Sequence, residues 1–192
     1  MLAIATQTLT LTEFLALPET KPASEYSNGQ IFTKPMPKGK HSALQGELVT
    51  LINHLLRTSR RARAFPELRC TFGDRSIVPD IATYTWERIH RDPNGEIANT
   101  FTTAPDWVIE ILSPDQSQTR VIKNILHGLK HGTEMGWLLD ASDRTVFVYR
   151  PHQETEVYEQ PDAVLPVPSF ASASFASNLC LTVNDLFALL FD

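Results

Sequence analysis

Two carboxylates lie within runs of apolar residues, where an acidic side chain is unexpected. Asp80 lies in the segment 77–82 (IVPDIA), and Glu110 lies thirty residues later in the segment 106–114 (DWVIEILSP). An ionised carboxylate is costly to bury unless it is paired, hydrogen-bonded or bound to a metal. Two such groups on successive predicted strands can converge on one divalent cation, which is the arrangement that a metal-dependent phosphodiesterase needs.

The surroundings of the two carboxylates favour a function to different degrees. Side chains alternate between the two faces of a strand, so Glu110 shares its face with Val108 and Leu112. These large neighbours favour a functional Glu110 over a structural carboxylate that accepts bonds from an arginine or the backbone. Asp80 follows a proline, which suits a cleft-facing position, although a structural strand-end aspartate is an equal alternative. Asp106 begins a strand after a loop and is expected to be solvated, so it ranks behind Asp80.

The hydrophobic spacing predicts the elements that must position these residues. A capping box at 10–13 begins a short helix, and Asn28-Gly29 favours a hairpin turn. The order of elements favours an α/β or α+β fold, in which helices flank a mixed central sheet and a helix and hairpin come first. Further helices are predicted over about 41–57, 118–131 and 183–191, and strands over about 63–72 (interrupted at Pro66), 77–84, 106–112, 135–140 and 145–150. The second of these helices is expected to bury Ile122, Ile125, Leu126 and Leu129.

Composition is typical of an ordinary globular protein, with 42% hydrophobic and 20% charged residues. The length predicts a single domain over 1–192, with a core at about 25–150 and a C-terminal extension of strand and helix at 151–192. A net charge of −5 argues against permanent residence on nucleic acid, but not against an enzyme that visits DNA with a metal and a local basic patch. No apolar run approaches the roughly 20 residues of a membrane span, and the first residues lack a basic leader region. We therefore expect a cytoplasmic protein without membrane contacts.

Cysteines and histidines predict no second metal site. Cys70 and Cys180 stand beside apolar residues without metal-ligand spacing, and we expect both to be buried free thiols. His127 and His131 are four residues apart on a predicted helix, a spacing that metal-binding pairs use. Because no third ligand is evident, they are interpreted as exposed histidines near the end of a helix.

The carboxylate segments resemble the PD-(D/E)XK nuclease superfamily. In that superfamily an aspartate and a glutamate bind Mg²⁺, and a lysine two residues after the glutamate helps to activate the attacking water. A longer series of segments resembles one branch, the Uma-two family of restriction endonucleases, over about 25–149. The segments that carry this resemblance are Glu25 with the Asn28-Gly29 hairpin, His41 at the start of a leucine-rich helix, Val78-Pro79-Asp80, the segment 105–114 (PDWVIEILSP), Gly132 and the segment 136–140 (GWLLD).

The resemblance implies a restriction-endonuclease-like fold and a divalent-metal-dependent DNA endonuclease. Asp80, Glu110 and the backbone carbonyl of Ile111 would hold Mg²⁺ or Mn²⁺, since oxygen ligands suit these ions better than zinc. Glu25 and His41 would flank the same cleft, although His41 alone is interpreted more simply as the first residue of a helix. DNA would be a transient partner, and cutting both strands would favour a twofold homodimer.

The lysine of the resembled motif is substituted in this chain. Leu112 stands two residues after Glu110 and cannot act on water. In the resembled family the lysine lies on the following helix, and alignment on Gly132 matches it to Asn124. Lys123 is one residue earlier, a step that turns a helix by about 100°, but its long side chain can bring the ammonium into a cleft. Lys123 is therefore a candidate catalytic residue, with an ordinary solvated lysine as the equal alternative.

If neither Lys123 nor Arg120 reaches the site, the chain would be a weakened or inactive nuclease that binds nucleic acid or protein. A dense basic cluster, which includes Arg60 and Arg61, is a candidate contact for DNA phosphates. Cations that stabilise the end of the preceding helix explain this cluster equally well.

Overall fold

The chain builds two β-sheets that meet at the segment carrying Asp80. The computed structural model describes residues 9–114, 116–178 and 180–191, and the side chains of these residues except 176–178. The helices are α1 (Leu11–Leu15), α2 (Gly39–Leu56), α3 (Gln118–Lys130), α4 (Ser169–Asn178), α5 (Val183–Ala188) and a short 3₁₀ helix (Trp86–Arg88). The strands are β1 (Ser24–Ser27), β2 (Gln30–Thr33), β3 (Ala62–Pro66), β4 (Cys70–Phe72), β5 (Arg75–Ile77), β6 (Ile81–Thr85), β7 (Trp107–Leu112), β8 (Met135–Asp140), β9 (Thr145–Tyr149) and β10 (Glu156–Tyr158).

The larger sheet has six strands in the order β10-β9-β8-β7-β6-β3, and the smaller one has four in the order β2-β1-β5-β4. Neighbouring strands are antiparallel except β7 and β8, which are parallel and connected through α3. A parallel pair requires a crossover of this kind. The mixed central sheet and the N-terminal helix and hairpin that the sequence predicts are confirmed.

The alternation of side chains along β7 places the core on both faces of the larger sheet. Trp107, Ile109 and Ile111 join the cluster formed by α2, α4 and α5. Val108 packs on the opposite face against α3, where it contacts the cluster containing Ile125. Glu110 has the same parity as Val108 and therefore projects toward the α3 side.

Local signals in the sequence predict several elements well. The capping box at Thr10 and Glu13 is present. The hairpin turns at Asn28 and Gly29, whose φ angles of 52° and 78° lie in the left-handed region. Gly132, with φ of 102°, follows α3 as the sequence predicts.

Two predicted strands are each divided. The prediction of one strand over 77–84 is wrong, because β5 ends at Ile77 and β6 begins at Ile81, so Asp80 lies in the break between the two sheets. In the segment 63–72 the predicted interruption at Pro66 is confirmed, because β3 ends at this residue. The second part of the segment forms β4, which belongs to the other sheet. Hydrophobicity alone does not show the break at Asp80, because the residues on both sides of the break are apolar. The C-terminal extension contains a strand and a helix as expected, in β10 and α5, but the sequence did not predict the position of β10 or the additional helix α4.

The predicted buried stripe of α3 is rotated in the structure. Leu126 is 42% exposed, whereas Val121 and Asn124 are buried. Ile122 and Leu129 are only partly buried. Polar Asn124 takes a buried position that a hydrophobic pattern assigns to another face, because its side-chain amide donates to the buried carboxylate of Glu25 in β1.

Three side chains differ in burial from their sequence-based expectations. Cys180 is exposed, while Cys70 is buried as expected and both thiols are free. Asp106 is buried rather than solvated. His127 is buried too, with Nε2 paired to the carbonyl of Phe72, and burial lowers its pKa to about 4. Among the described residues, no helix is both long and apolar enough to cross a membrane.

Candidate active site

Asp80 occupies the notch where β6 has not yet begun to pair with β7. The first residue of β6, Ile81, pairs with Ile109, so the backbone of β7 beyond that point has no β6 partner. The carboxylate of Asp80 takes over this role, because its Oδ2 accepts a hydrogen bond from the backbone N–H of Ile111 at 2.7 Å. Gln45 of α2 holds the Asp80 carbonyl with its Nε2 at 2.8 Å. The break in the strand therefore fixes Asp80 in front of the end of β7.

Glu110 is a buried carboxylate with an unsatisfied oxygen. It lies in β7 with 1% of its surface exposed. Its Oε1 is buried and has no hydrogen-bond partner among the described residues, and its Oε2 lies 3.9 Å from Nζ of Lys34. An unpaired buried carboxylate oxygen is costly, and at this position it marks a site where a further ligand can bind.

Lys34 supplies the cation between the two carboxylates, although the sequence did not predict it. Its Nζ donates to Oδ1 of Asp80 at 2.6 Å and to the carbonyl of Val78 at 2.7 Å. Only 9% of its side chain is exposed. Lys34 directly follows β2, where its backbone N–H bonds the carbonyl of Ala23 and extends the hairpin pairing. The hairpin of the smaller sheet thus positions the Lys34 ammonium beside Asp80, between the two sheets, and beside Glu110 of the larger sheet.

His41 joins the site from the first turn of α2. Its Nε2 lies 3.3 Å from Oδ1 of Asp80, and its Nδ1 lies 3.0 Å from Oγ of Ser113. Because a carboxylate only accepts, Nε2 carries the proton in the contact with Asp80. His41 is more than the start of a helix, and it connects Asp80 to the residue that follows β7.

Glu25 and Asn124 form the opposite wall. Both carboxylate oxygens of Glu25 lie within 3.1 Å of Nδ2 of Asn124. The same carboxylate accepts from the backbone N–H of Val78 at 2.9 Å. Glu25 is 5% exposed and Asn124 is 7% exposed. This wall ties β1 and α3 to the segment that leads into Asp80.

Electrostatics drive the pKa values of the two central carboxyl groups apart. Burial opposes ionisation of Asp80, but the Lys34 ammonium and the hydrogen bond from His41 outweigh it and lower the pKa to about 2. Burial raises the pKa of Glu110 well above its ordinary value, and the charges of Asp80 and Glu25 raise it further against the opposing effect of Lys34. Burial acts to lower the pKa of Lys34, but the surrounding carboxylates outweigh it and raise that pKa. Such a divergence between neighbouring carboxyl groups is common at catalytic sites.

The residues of the site fit a hard divalent cation. Three buried carboxylates, Glu25, Asp80 and Glu110, face one ammonium, so the fully ionised cluster carries excess negative charge. Among the described residues no three His, Cys, Asp or Glu side chains are arranged to hold a metal together. Mg²⁺ needs no such cage, because it keeps several waters and often uses only one or two carboxylates. The carbonyl of Ile111 is a further candidate ligand, since the N–H and C=O of a strand residue project toward the same edge.

Other predicted site residues lie apart from the carboxylates. Lys123 is exposed, and within the described residues its side chain makes no ion pair. Arg120 turns to the ring of Phe32, with the guanidinium carbon 3.9 Å from the ring centroid. Arg60 and Arg61 follow the far end of α2, where fifteen helical residues separate His41 from Leu56, a distance of roughly 22 Å.

Sequence reasoning missed Lys34 for a physical reason. It lies in a proline-containing segment 46 residues before Asp80, and no periodic pattern distinguishes it from the other lysines and arginines of the chain. The usable signal was electrostatic, since two buried carboxylates require a cation. That requirement does not select one of seventeen basic residues.

A carboxylate pair at a broken strand, a buried lysine between them and a mixed sheet flanked by helices define a nuclease-like protein. A family model described as "Putative restriction endonuclease", Uma2, matches residues 11–183, so the chain belongs to this family. The crystal structure of a "putative nuclease" from Anabaena variabilis ATCC 29413 shares 64% sequence identity, with a TM-score of 0.91. The match covers 95% of this chain and 99% of that one. A search of curated proteins found no match. The predicted family and the restriction-endonuclease-like fold are confirmed, and both findings support a nuclease.

Proposed function

We propose that this protein is a divalent-metal-dependent DNA endonuclease that hydrolyses phosphodiester bonds at the site of Asp80 and Glu110. The observation that carries the proposal is the unpartnered Oε1 of buried Glu110, a residue that lies beside Asp80 and Lys34 in the described structure. Membership in a family described as restriction endonucleases supports DNA as the substrate.

Asp80, Glu110 and the Ile111 carbonyl would hold Mg²⁺ or Mn²⁺. When bound there, the ion supplies Lewis-acid polarisation of the phosphate and lowers the pKa of a coordinated water. Asp80 contributes a carboxylate that is ionised at neutral pH, because the ammonium of Lys34 and the bond from His41 keep its pKa low. Glu110 contributes the oxygen that has no partner within the described protein.

Lys34 is our candidate for the role that the superfamily assigns to the lysine after the glutamate. Its ammonium lies against both carboxylates, so it is positioned to stabilise an attacking hydroxide or the developing negative charge on the phosphate. The catalytic role predicted for Lys123 stays a prediction without support from this geometry. Asn124 would act by holding Glu25, and His41 by orienting Asp80.

Cleavage of both strands would require two such sites, and we therefore propose a twofold homodimer as the active form. Sedimentation velocity of the protein with and without duplex DNA tests this part of the proposal. A monomer in both conditions would restrict the activity to single-strand cuts.

Calorimetric titration with Mg²⁺ and with Mn²⁺ tests the metal site directly. We expect binding by the wild type and its loss in Asp80→Asn/Glu110→Gln. A parallel incubation with supercoiled plasmid measures nicking with and without the metal. Cleavage that persists in the double variant would remove both carboxylates from the mechanism.

One observation favours a second candidate function, a non-catalytic nuclease-fold protein that binds nucleic acid or a protein partner. The Nζ of Lys34 lies 2.6 Å from Oδ1 of Asp80 and neutralises the carboxylate. The ammonium therefore occupies a place at which a metal would otherwise bind this oxygen. If wild-type protein bound neither Mg²⁺ nor Mn²⁺ in the presence of DNA and cut no plasmid, this second function would replace the first.

A further inference from the structure

A continuous cleft leads from the carboxylate site along α3. A cavity of about 160 Å³ reaches Lys34, and it adjoins a larger one of about 460 Å³. The two cavities share five lining residues, which are Glu25, Phe32, Ser117, Arg120 and Asn124. We call these joined cavities the α3 cleft. Arg120 and Phe32 lie between its inner end, at Lys34, and its outer end, at Lys130.

The α3 cleft concentrates positive charge in a chain whose net charge is −5. Arg75, Arg120, Lys123 and Lys130 line it. Among the described lining residues, Glu25 is the single carboxylate, and it is already bonded to Val78 and Asn124. None of the four cations pairs with a carboxylate of the described residues. Unpaired cations that converge on one cleft attract an anionic ligand.

Three of these cations form a row along α3. Arg120, Lys123 and Lys130 fall at positions i, i+3 and i+10 of α3, and thus lie along one side of the helix. They span ten helical residues, or about 15 Å. One strand of a DNA duplex carries one phosphate per about 3.4 Å of helix axis, so a row of this length is long enough to contact more than one phosphate.

Two guanidinium groups of the α3 cleft are held in place. Arg120 stacks on Phe32, with its guanidinium carbon 3.9 Å from the ring centroid. Arg75 donates from Nη1 to the backbone carbonyl of Lys123 at 3.5 Å. Guanidinium groups fixed in this way retain free N–H donors and lose little entropy when they bind a phosphate.

We infer that the α3 cleft binds the phosphate backbone of one DNA strand beside the scissile phosphate. Of the four cations, Arg120 lines both cavities and therefore lies toward the inner end, and Lys130 lies at the outer end. This inference rests on the proposed function for its choice of DNA. It assigns DNA contact to α3 in place of Arg60 and Arg61.

The test compares two double variants that change the net charge equally. Lys123→Gln/Lys130→Gln removes two cations from the α3 cleft, and neither lysine is buried, so we expect the fold to be retained. Arg60→Gln/Arg61→Gln removes two cations at the far end of α2. Both doubles are placed in a Glu110→Gln background with EDTA, so that binding is measured without cleavage. The probe is a fluorescein-labelled DNA duplex of about two helical turns, followed by anisotropy over the range of salt in which phosphate binding weakens steeply, roughly 50 to 200 mM NaCl.

We expect the α3 variant to bind about tenfold more weakly at low salt. The slope of log K against log[salt] should decrease in magnitude by about 1.8, or about 0.9 for each phosphate that is no longer neutralised. The Arg60/Arg61 variant should keep the parent slope. Equal losses in both doubles would overturn the inference, because they would reflect net charge alone. A parent protein that binds no duplex, or an α3 variant with an unchanged slope, would overturn it as well.

The two proposals fail separately. If wild-type protein does not cut plasmid but the α3 variant loses affinity as expected, the cleft binds DNA and the nuclease proposal is wrong. If wild-type protein cuts plasmid with Mg²⁺ but Lys123→Gln/Lys130→Gln leaves the salt slope unchanged, the nuclease proposal stands and the α3 cleft does not bind its DNA.

Discussion

Two buried carboxylates lie toward the two ends of β7, Asp106 directly before the strand and Glu110 in its second half, and they have opposite surroundings. At the first end, Asp106 accepts bonds from the backbone and hydroxyl of Thr85 and pairs with Arg88. At the other end, Glu110 has one oxygen without a partner in the described structure and another at 3.9 Å from Lys34. The two residues are four positions apart, which is roughly 13 Å along an extended strand. The protein supplies partners for both oxygens of Asp106, but not for both oxygens of Glu110 within the described residues.

This difference separates structural acids from candidate functional acids better than burial does. Both side chains are buried, at 8% and 1% exposure, so burial alone would rank them together. A structural carboxylate has all its oxygens occupied by donors, whereas a metal ligand needs an oxygen left for the metal. Arg60 lies on the side of Asp106, because its guanidinium carbon is 5.9 Å from the ring centroid of Trp86, the residue that follows Thr85. Lys34 and His41 lie on the side of Glu110.

Glu110→Gln should produce the largest effect. We expect plasmid cleavage with Mg²⁺ to fall by about 10³-fold or more, since a metal ligand contributes several kcal/mol to transition-state stabilisation. Gln is nearly isosteric, so circular dichroism and the melting temperature should show a folded protein. Single-turnover cleavage of plasmid measures the loss. Wild-type rates in this variant would mean that the unsatisfied oxygen has no catalytic role.

Lys34→Met should reduce cleavage by about 10²-fold, the range found when a single charge-stabilising group is removed. The same change should tighten Mg²⁺ binding, because it removes an ammonium that lies against both carboxylates. Loss of rate together with stronger metal binding is the result that distinguishes a catalytic lysine from a structural one. Lys34→Arg serves as the matched control and should recover part of the rate while binding Mg²⁺ no more tightly than wild type.

Asp106→Asn should affect stability without affecting chemistry. The change weakens the bonds from Thr85 and removes the charge facing Arg88, so we expect the free energy of unfolding to fall by about 1–3 kcal/mol. Arg88 is 36% exposed, which limits the loss. Urea denaturation measures this value, and calorimetry should find Mg²⁺ affinity unchanged. Weaker Mg²⁺ binding by this variant would contradict the conclusion that Asp106 is structural and Glu110 is the metal ligand.

The pH dependence of stability should also differ between Glu110 and Asp80. Burial raises the folded-state pKa of Glu110 above its unfolded value near 4.5, so the unfolded chain releases this proton first and the metal-free protein loses stability as pH rises above 4.5. Glu110→Gln removes this loss. The free energy of unfolding of the variant should therefore exceed that of the wild type by about 1.4 kcal/mol more with each pH unit, until Glu110 ionises in the folded wild type.

The contribution of Asp80 to stability changes with pH in the opposite direction. Its folded pKa of about 2 lies below its unfolded value of 3.8, so its contribution to stability is present above 3.8 and is lost as pH falls toward 2. Thermal melts in EDTA from acidic to mildly alkaline pH record both behaviours. A Glu110→Gln variant that is no more stable than wild type at neutral pH would contradict the raised pKa.

The sequence predicted the two carboxylates because they violate an apolar pattern, but it did not predict what surrounds them. Local signals such as the Asn28-Gly29 turn determine nearby backbone, and they located the hairpin correctly. The contact of Lys34 with Asp80 spans 46 residues and joins two sheets. No local pattern encodes such a contact. For the same reason Asp106 was expected to be solvated, since its partner Arg88 belongs to another segment.

Arg60→Gln/Arg61→Gln should have the smallest effect on cleavage. These arginines follow the end of α2 that is remote from His41, and the carbonyl of Arg61 accepts from the backbone N–H of Trp86, a bond that glutamine preserves. We expect the kcat/KM for plasmid cleavage to change by less than about twofold, the scale of surface substitutions away from a site. Steady-state rates at low and at near-physiological salt provide the measurement. A loss of about tenfold or more would show that DNA contacts both ends of the sheet, and the satisfied end of β7 would then be part of the substrate surface.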